Sequence, residues 1–159
     1  EMVRSDWSSD VCSSDLGVAD SVLKGRTRIF SLKRSPVAQN YMLLAESYKR
    51  LRFSESYSFA DEILNMILPE FQGPLALFGS YSSGEAEEDS DIDLLSAGSY
   101  DRGKIAKVSK TFGVEINVKE YERMLFRQPA QSDYLVREMY KNHIFLKCPE
   151  FFVGAVMHQ

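Results

Sequence analysis

The stretch from Phe78 to Asp93 reads FGSYSSGEAEEDSDID. It starts where an apolar run ends in Gly-Ser, and it places six carboxylates within the nine residues 85–93. Like charges this close repel one another, so they are either solvated in a loop or gathered around a cation. Spacing separates the two cases. Asp91 and Asp93 stand two apart on an expected strand, so both side chains leave one face while Ile92 and Leu94 turn to the other. Such a pair suits Mg²⁺, which prefers oxygen ligands, keeps several waters and completes its shell with phosphates. Glu115, between Val114 and Ile116 on a later expected strand, shows the same alternation and makes a third acid if the strands are neighbours. Glu85, Glu87, Glu88 and Asp89 read as a solvated loop.

Gly79-Ser80 supplies a complementary feature. A glycine at a strand end lets backbone approach a ligand closely, and Ser80 offers a hydroxyl donor. If the next residues open a helix, their N–H groups favour a phosphate. Two other loops are excluded by their own letters. An EF-hand with Asp89, Asp91 and Asp93 at positions one, three and five would need Gly at 94 and Glu at 100, where Leu94 and Tyr100 stand. A phosphate-binding P-loop running from Gly79 to Gly84 would continue with Lys, and Glu85 follows instead.

The flanking pattern alternates strands and helices. Ala19 to Leu32 reads as a hairpin broken at Lys24-Gly25, and Ser35-Pro36 starts a helix with Val37, Tyr41, Leu44, Ala45, Tyr48 and Leu51 at helical spacing. Further helices are expected over 57–68, 101–112, 120–127, 132–142 and 151–157, and strands over 75–78, 91–95, 114–118 and 144–146. This is an α+β or α/β arrangement. Tyr41, Tyr48, Tyr57 and Tyr81 read as core or rim residues, with Tyr81 close to the Gly-Ser. His143, His158, Cys12 and Cys148 lack metal-ligand spacing.

A chain of 159 residues with 44% apolar content is long enough for one globular domain and an appendage. No apolar run long enough to span a membrane and no secretory leader is seen, so a cytoplasmic setting is the default, with no membrane partner. The net charge is −4, yet Lys24, Arg26, Arg28, Lys33, Arg34, Lys49, Arg50 and Arg52 stand against only Glu46 between residues 24 and 52. Residues 5–16, SDWSSDVCSSDL, resemble the translation of a sequencing-adapter oligonucleotide. Residues 1–16 are therefore set apart as an unstructured artefact that carries Trp7 and Cys12, and native sequence upstream of Gly17 is expected to be missing.

With Gly79-Ser80, Asp91-x-Asp93 and Glu115 in place, the string FGSYSSGEAEEDSDIDLL resembles the signature of the DNA polymerase β-type nucleotidyltransferase superfamily, in its minimal nucleotidyltransferase branch. The segment LVREMYKNHIFLK is similar to the helix that closes such domains. The resemblance implies an α+β fold with a small mixed sheet flanked by helices, over residues 37–159 with a linker helix in front. It implies that Gly79 and Ser80 bind the phosphates of ATP or another nucleoside triphosphate. Asp91 and Asp93 would ligate Mg²⁺ or Mn²⁺, and Glu115 would hold a second metal or act as base. Many members carry an arginine shortly after Gly-Ser, where this chain has Ser82 and Ser83. The implied reaction moves a nucleoside monophosphate, AMP from ATP, onto a hydroxyl of a HEPN-type toxin partner, a small molecule or an RNA end. Residues 17–36 resemble the wing of a truncated winged helix, and Lys24, Arg26 and Arg28 at its tip would contact DNA phosphates. The alternative function is a DNA-binding regulator or antitoxin whose transferase-like domain does no chemistry.

Overall fold

A computed structural model of the protein describes residues 17–123 and 134–157. Trp7, Cys12 and His158 lie outside the described residues, as does the second half, 124–127, of the helix expected over 120–127, whose first residue, Glu120, ends a strand instead. The chain forms two compact units, 1–42 and 43–159.

In the first unit, β1 (Ala19–Lys24) and β2 (Thr27–Leu32) pair antiparallel, from Ala19 opposite Leu32 to Lys24 opposite Thr27. The two-residue turn begins at Gly25, whose φ of 66° is left-handed and unstrained only for glycine. The Lys33 N–H donates to the Val18 carbonyl at 2.8 Å and continues the closure beyond the strands. The hairpin therefore forms where the alternation placed it.

Helix α1 (Pro36–Ser56) starts at Ser35, whose Oγ accepts the Ala38 N–H at 3.1 Å. Its expected apolar stripe is overturned. Val37, Tyr41, Leu44, Tyr48 and Leu51 are 41% to 66% exposed, whereas Ala38, Glu46 and Phe53 are buried. The buried line runs about one residue over, roughly 100° around the helix. The inward side of its second half is fixed by a charged group, Glu46, which has partners across the fold.

The second unit is built on a four-stranded mixed sheet. After α2 (Ser58–Ile67) and one 3₁₀ turn (Leu68–Glu70) come β3 (Phe71–Gln72), β4 (Leu75–Phe78), α3 (Ser80–Ser83), β5 (Ile92–Ser96), β6 (Ser99–Tyr100) and α4 (Arg102–Phe112). They are followed by β7 (Ile116–Glu120), α5 (Tyr134–Lys141), β8 (Ile144–Lys147) and α6 (Pro149–Met157). Strand order is β7-β5-β4-β8, with β4 antiparallel to β5 and β8, and β5 parallel to β7.

Register assigns the faces. Leu77 lies opposite Leu94 and Ile144, and this face packs with Ile63, Leu64 and Ile67 of α2 and Ile105 of α4. Burying a side chain of this size contributes about 1.5–3 kcal/mol each. On the opposite face Ala76 lies between Leu95 and Phe145, and the Phe145 ring stacks on Phe152 of α6 at 4.4 Å. Helices thus flank both faces, as the α+β expectation required. The small pair β3–β6, closed by the stacked rings of Phe71 and Tyr100 at 5.1 Å, was not foreseen. Two-residue strands are too short to show a period.

Candidate active site

The carboxylates sit where β5 meets β7. Asp93 is opposite Asn117 and Ile92 opposite Ile116, so in this parallel pair Asp93 and Asn117 leave the same face. Glu115 immediately precedes β7 rather than lying within it, and its carbonyl accepts the Ile92 N–H at 2.9 Å. The strand runs two residues later than alternation suggested. Extending the register by one step sets Asp91 beside Glu115 on the Asp93 face. Farther along this face Leu95 and Ala76 are fully buried; at the carboxylate end Asp91 and Glu115 are exposed and Asp93 is half-buried.

The electrostatics of Asp93 record this crowding. Burial pushes its carboxyl above the ordinary value, a hydrogen bond from the Asn117 side chain opposes the shift, and the charge of Asp91 adds to it. Lys119 pulls the other way and Glu115 adds a last upward push. Asp93 thus feels both other acids. Asn117 and Lys119 were missed from the sequence because only acidic letters were sought on β7; their positions at two-residue steps after Glu115 were the available signal.

Gly79 leaves β4 with φ 74° and ψ −155°, outside the reach of ordinary L-residues. A Cβ placed there would lie 2.5 Å from Asp93 Oδ2 and 3.3 Å from Asp93 Cβ. Glycine is needed for conformation and for room. The chain then turns through α3, where the Ser82 and Ser83 N–H groups donate to the Gly79 carbonyl, each at 3.1 Å. Ser80 opens this single turn. The Ser82 hydroxyl lies 2.8 Å from the Gly79 carbonyl and 3.0 Å from the Asn142 carbonyl, tying the turn to the segment before β8. Glu85, Glu87, Glu88 and Asp89 are exposed, as a solvated loop requires.

Among the described residues no three His, Cys, Asp or Glu side chains form a group that could hold a metal ion alone. The donor chemistry still suits a hard cation. Mg²⁺ is ordinarily held by one or two carboxylates with waters and substrate phosphates, not by an all-protein cage. Asp91 and Asp93 share a face, and Asp93, raised first by burial and then by the charge of Asp91, lies against Gly79.

Tyr81 meets the expectation of a core residue, and Tyr41 and Tyr48 depart from it. Tyr81 is buried, 7% exposed, with its ring edge-on to Tyr57 at 5.2 Å, so it belongs to the core. Tyr41 and Tyr48 are exposed. His143, read from sequence only as lacking metal-ligand spacing, sits between α1 and α5: its Nε2 is 3.0 Å from Lys49 Nζ and 3.2 Å from Glu46 Oε2. Its Nδ1 faces the Met139 carbonyl at 3.0 Å and so carries a proton. Sequence separation of about ninety residues hid this group.

Comparison with known proteins adds the family. The model of the nucleotidyltransferase domain matches residues 62–146, more than half of the chain and inclusive of Gly79, Asp91, Asp93 and Glu115. Two solved structures are similar: a toxin-antitoxin with AMP-PNP, 19% identical with a TM-score of 0.37, and a mutant of the toxin-antitoxin MntA-HpeT, 17% identical with a TM-score of 0.36. Each alignment covers 61% of this chain and 81% of the other. No curated protein matches. Among the described residues no helix is long and apolar enough to cross a membrane. By the match over residues 62–146, which spans the Gly79 turn and both acidic strands, the chain belongs to the nucleotidyltransferase domain family, with its polymerase β-like fold.

Proposed function

We propose that the protein transfers a nucleoside monophosphate, AMP from ATP, to a hydroxyl acceptor, using Mg²⁺ or Mn²⁺ held by Asp91 and Asp93 together with the substrate phosphates, with Glu115 beside them as base. The observation that carries this reading is the position of Asp93, which feels Asp91 and Glu115 on one side and lies against Gly79 on the other. Charge that repels in the isolated protein becomes useful once a cation and a phosphate arrive together. The metal would stabilise negative charge on the entering and leaving oxygens.

The residues of the chain do the rest. Gly79, without a side chain, lets the phosphates come close to Asp93, and the Ser80 hydroxyl donates to them. Asn117 fixes the Asp93 carboxylate in one orientation through its hydrogen bond. Glu115, exposed at the start of β7, accepts the proton of the attacking hydroxyl. Orienting that hydroxyl for in-line attack on the α-phosphorus supplies much of the rate enhancement.

For the acceptor we infer a partner protein, a toxin of the HEPN type. The test supplies ATP labelled at the α-phosphorus, Mg²⁺ and such a partner to the wild type and to Asp91→Asn/Asp93→Asn. Label on the partner with the wild type, and a loss of at least about a thousandfold in the variant, is expected. Equal labelling by both would refute the catalytic reading. A second reading, DNA binding by the β1–β2 hairpin, is favoured by the exposure of Lys24, Arg26 and Arg28 around its turn. Replacing all three by Gln should weaken DNA binding and flatten its salt dependence, with transfer unchanged.

A further inference from the structure

A cavity of about 370 Å³ in the second unit has a lining unlike the rest of this acidic molecule. Lys49 and Arg52 of α1, Lys141 at the end of α5 and His143 face it together with Ser82 and Ser83, and among the described residues no Asp or Glu lines it. Its place relative to the carboxylates is fixed by α3. Ser82 and Ser83 both donate backbone N–H groups to the Gly79 carbonyl, so two of the residues that line the cavity stand within one helical turn of the glycine that lies against Asp93. The turn itself carries hydroxyls and no cation. A triphosphate brought beside Asp91, Asp93 and Glu115 needs positive charge beyond that of a bound metal.

We propose that this cavity takes the phosphate tail of the nucleoside triphosphate, with Arg52, Lys141 and Lys49 as its positioning cations; the proposal rests on the transferase reading of the carboxylate site. Each cation is steadied by a carboxylate outside the lining: Lys49 by Glu46 at 2.8 Å, Arg52 by Glu55 at 3.0 Å and Lys141 by Glu138 at 2.8 Å. These tethers leave donors over, since an ammonium has three N–H groups and a guanidinium five. Arg52 and Lys141 are 61% and 59% exposed, and ion pairs that open to water exchange readily for a phosphate. One wall is rigid, because Tyr81 and Tyr57 meet edge to face there.

The experiment measures binding of inorganic tripolyphosphate and of AMP by calorimetry without metal, for the wild type, for Arg52→Gln/Lys141→Gln, and for Lys107→Gln/Lys110→Gln on α4 as a control of equal charge. The cavity pair should weaken tripolyphosphate at least about tenfold and leave AMP within about twofold, while the control changes neither. In transfer assays the same pair should raise KM for ATP more than it lowers kcat. Equal weakening by both pairs, an AMP loss as large as the tripolyphosphate loss, or no tripolyphosphate binding by the wild type would each overturn the proposal. The two readings fail separately. Cation-dependent tripolyphosphate binding without any wild-type transfer removes the transferase and keeps the cavity; transfer that needs Asp91 and Asp93, with tripolyphosphate affinity and KM untouched by the cavity pair, does the reverse.

Discussion

Gly79 is the residue on which the geometry of the site turns. Adding a methyl group there forces both a disfavoured left-handed φ and a contact with Asp93 Oδ2. Gly79→Ala should lose about 1–3 kcal/mol of stability in urea unfolding and at least tenfold in transfer, the second because Asp93 must move. Glu46 makes a different case. Burial pushes its carboxyl up, but hydrogen bonds from His143 and Lys49, with their charges, outweigh this and hold it below 4.5. A carboxyl depressed in the folded state contributes stability that is fully present above its unfolded value and is lost as pH falls through its folded value. Glu46→Gln should therefore destabilise the protein by about 1–3 kcal/mol at neutral pH, and the gap to the wild type should shrink below about pH 4. Urea titrations at the two pH values measure this. The same residue shows a limit of reading sequence. A buried Glu within a helix looks like a surface residue until the histidine that receives it, far along the chain, is folded against it.

At the scale of elements, local signals were sound where they were strong. The Leu75–Phe78 run forms β4 with the bounds its turn signals gave, because an unbroken apolar stretch between Gly-Pro and Gly-Ser can be little else than a central strand. Helix α4 begins at Asp101, whose side chain accepts the Lys104 N–H at 3.1 Å. Asp101→Ala should cost about 0.5–2 kcal/mol, read as a fall of a few degrees in Tm with little change in KM, since the cap is remote from the carboxylates. Helix α1 was misjudged in the other direction. Its apolar residues recur at helical spacing, which locates a helix, yet spacing alone does not say which side faces the core; Phe53 and the Glu46 partners decide that.

For the whole molecule, two-residue alternation made the shared face of Asp91 and Asp93 legible, whereas the pairing of β5 with β7 and its register were not, and β7 begins two residues later than alternation suggested. The cationic cavity was not legible. Its charges come from two helices and a loop that sequence keeps about ninety residues apart. On the proposed reading, Asp91 and Asp93 grip a divalent cation only in company with the phosphates of the substrate. Electron paramagnetic resonance of Mn²⁺, titrated with ATP against the wild type and Asp91→Asn/Asp93→Asn, tests it most directly. Protein-bound Mn²⁺ is expected with the wild type only when ATP is present, and none with the variant at the same concentrations. Mn²⁺ and ATP bound equally by both proteins would contradict it.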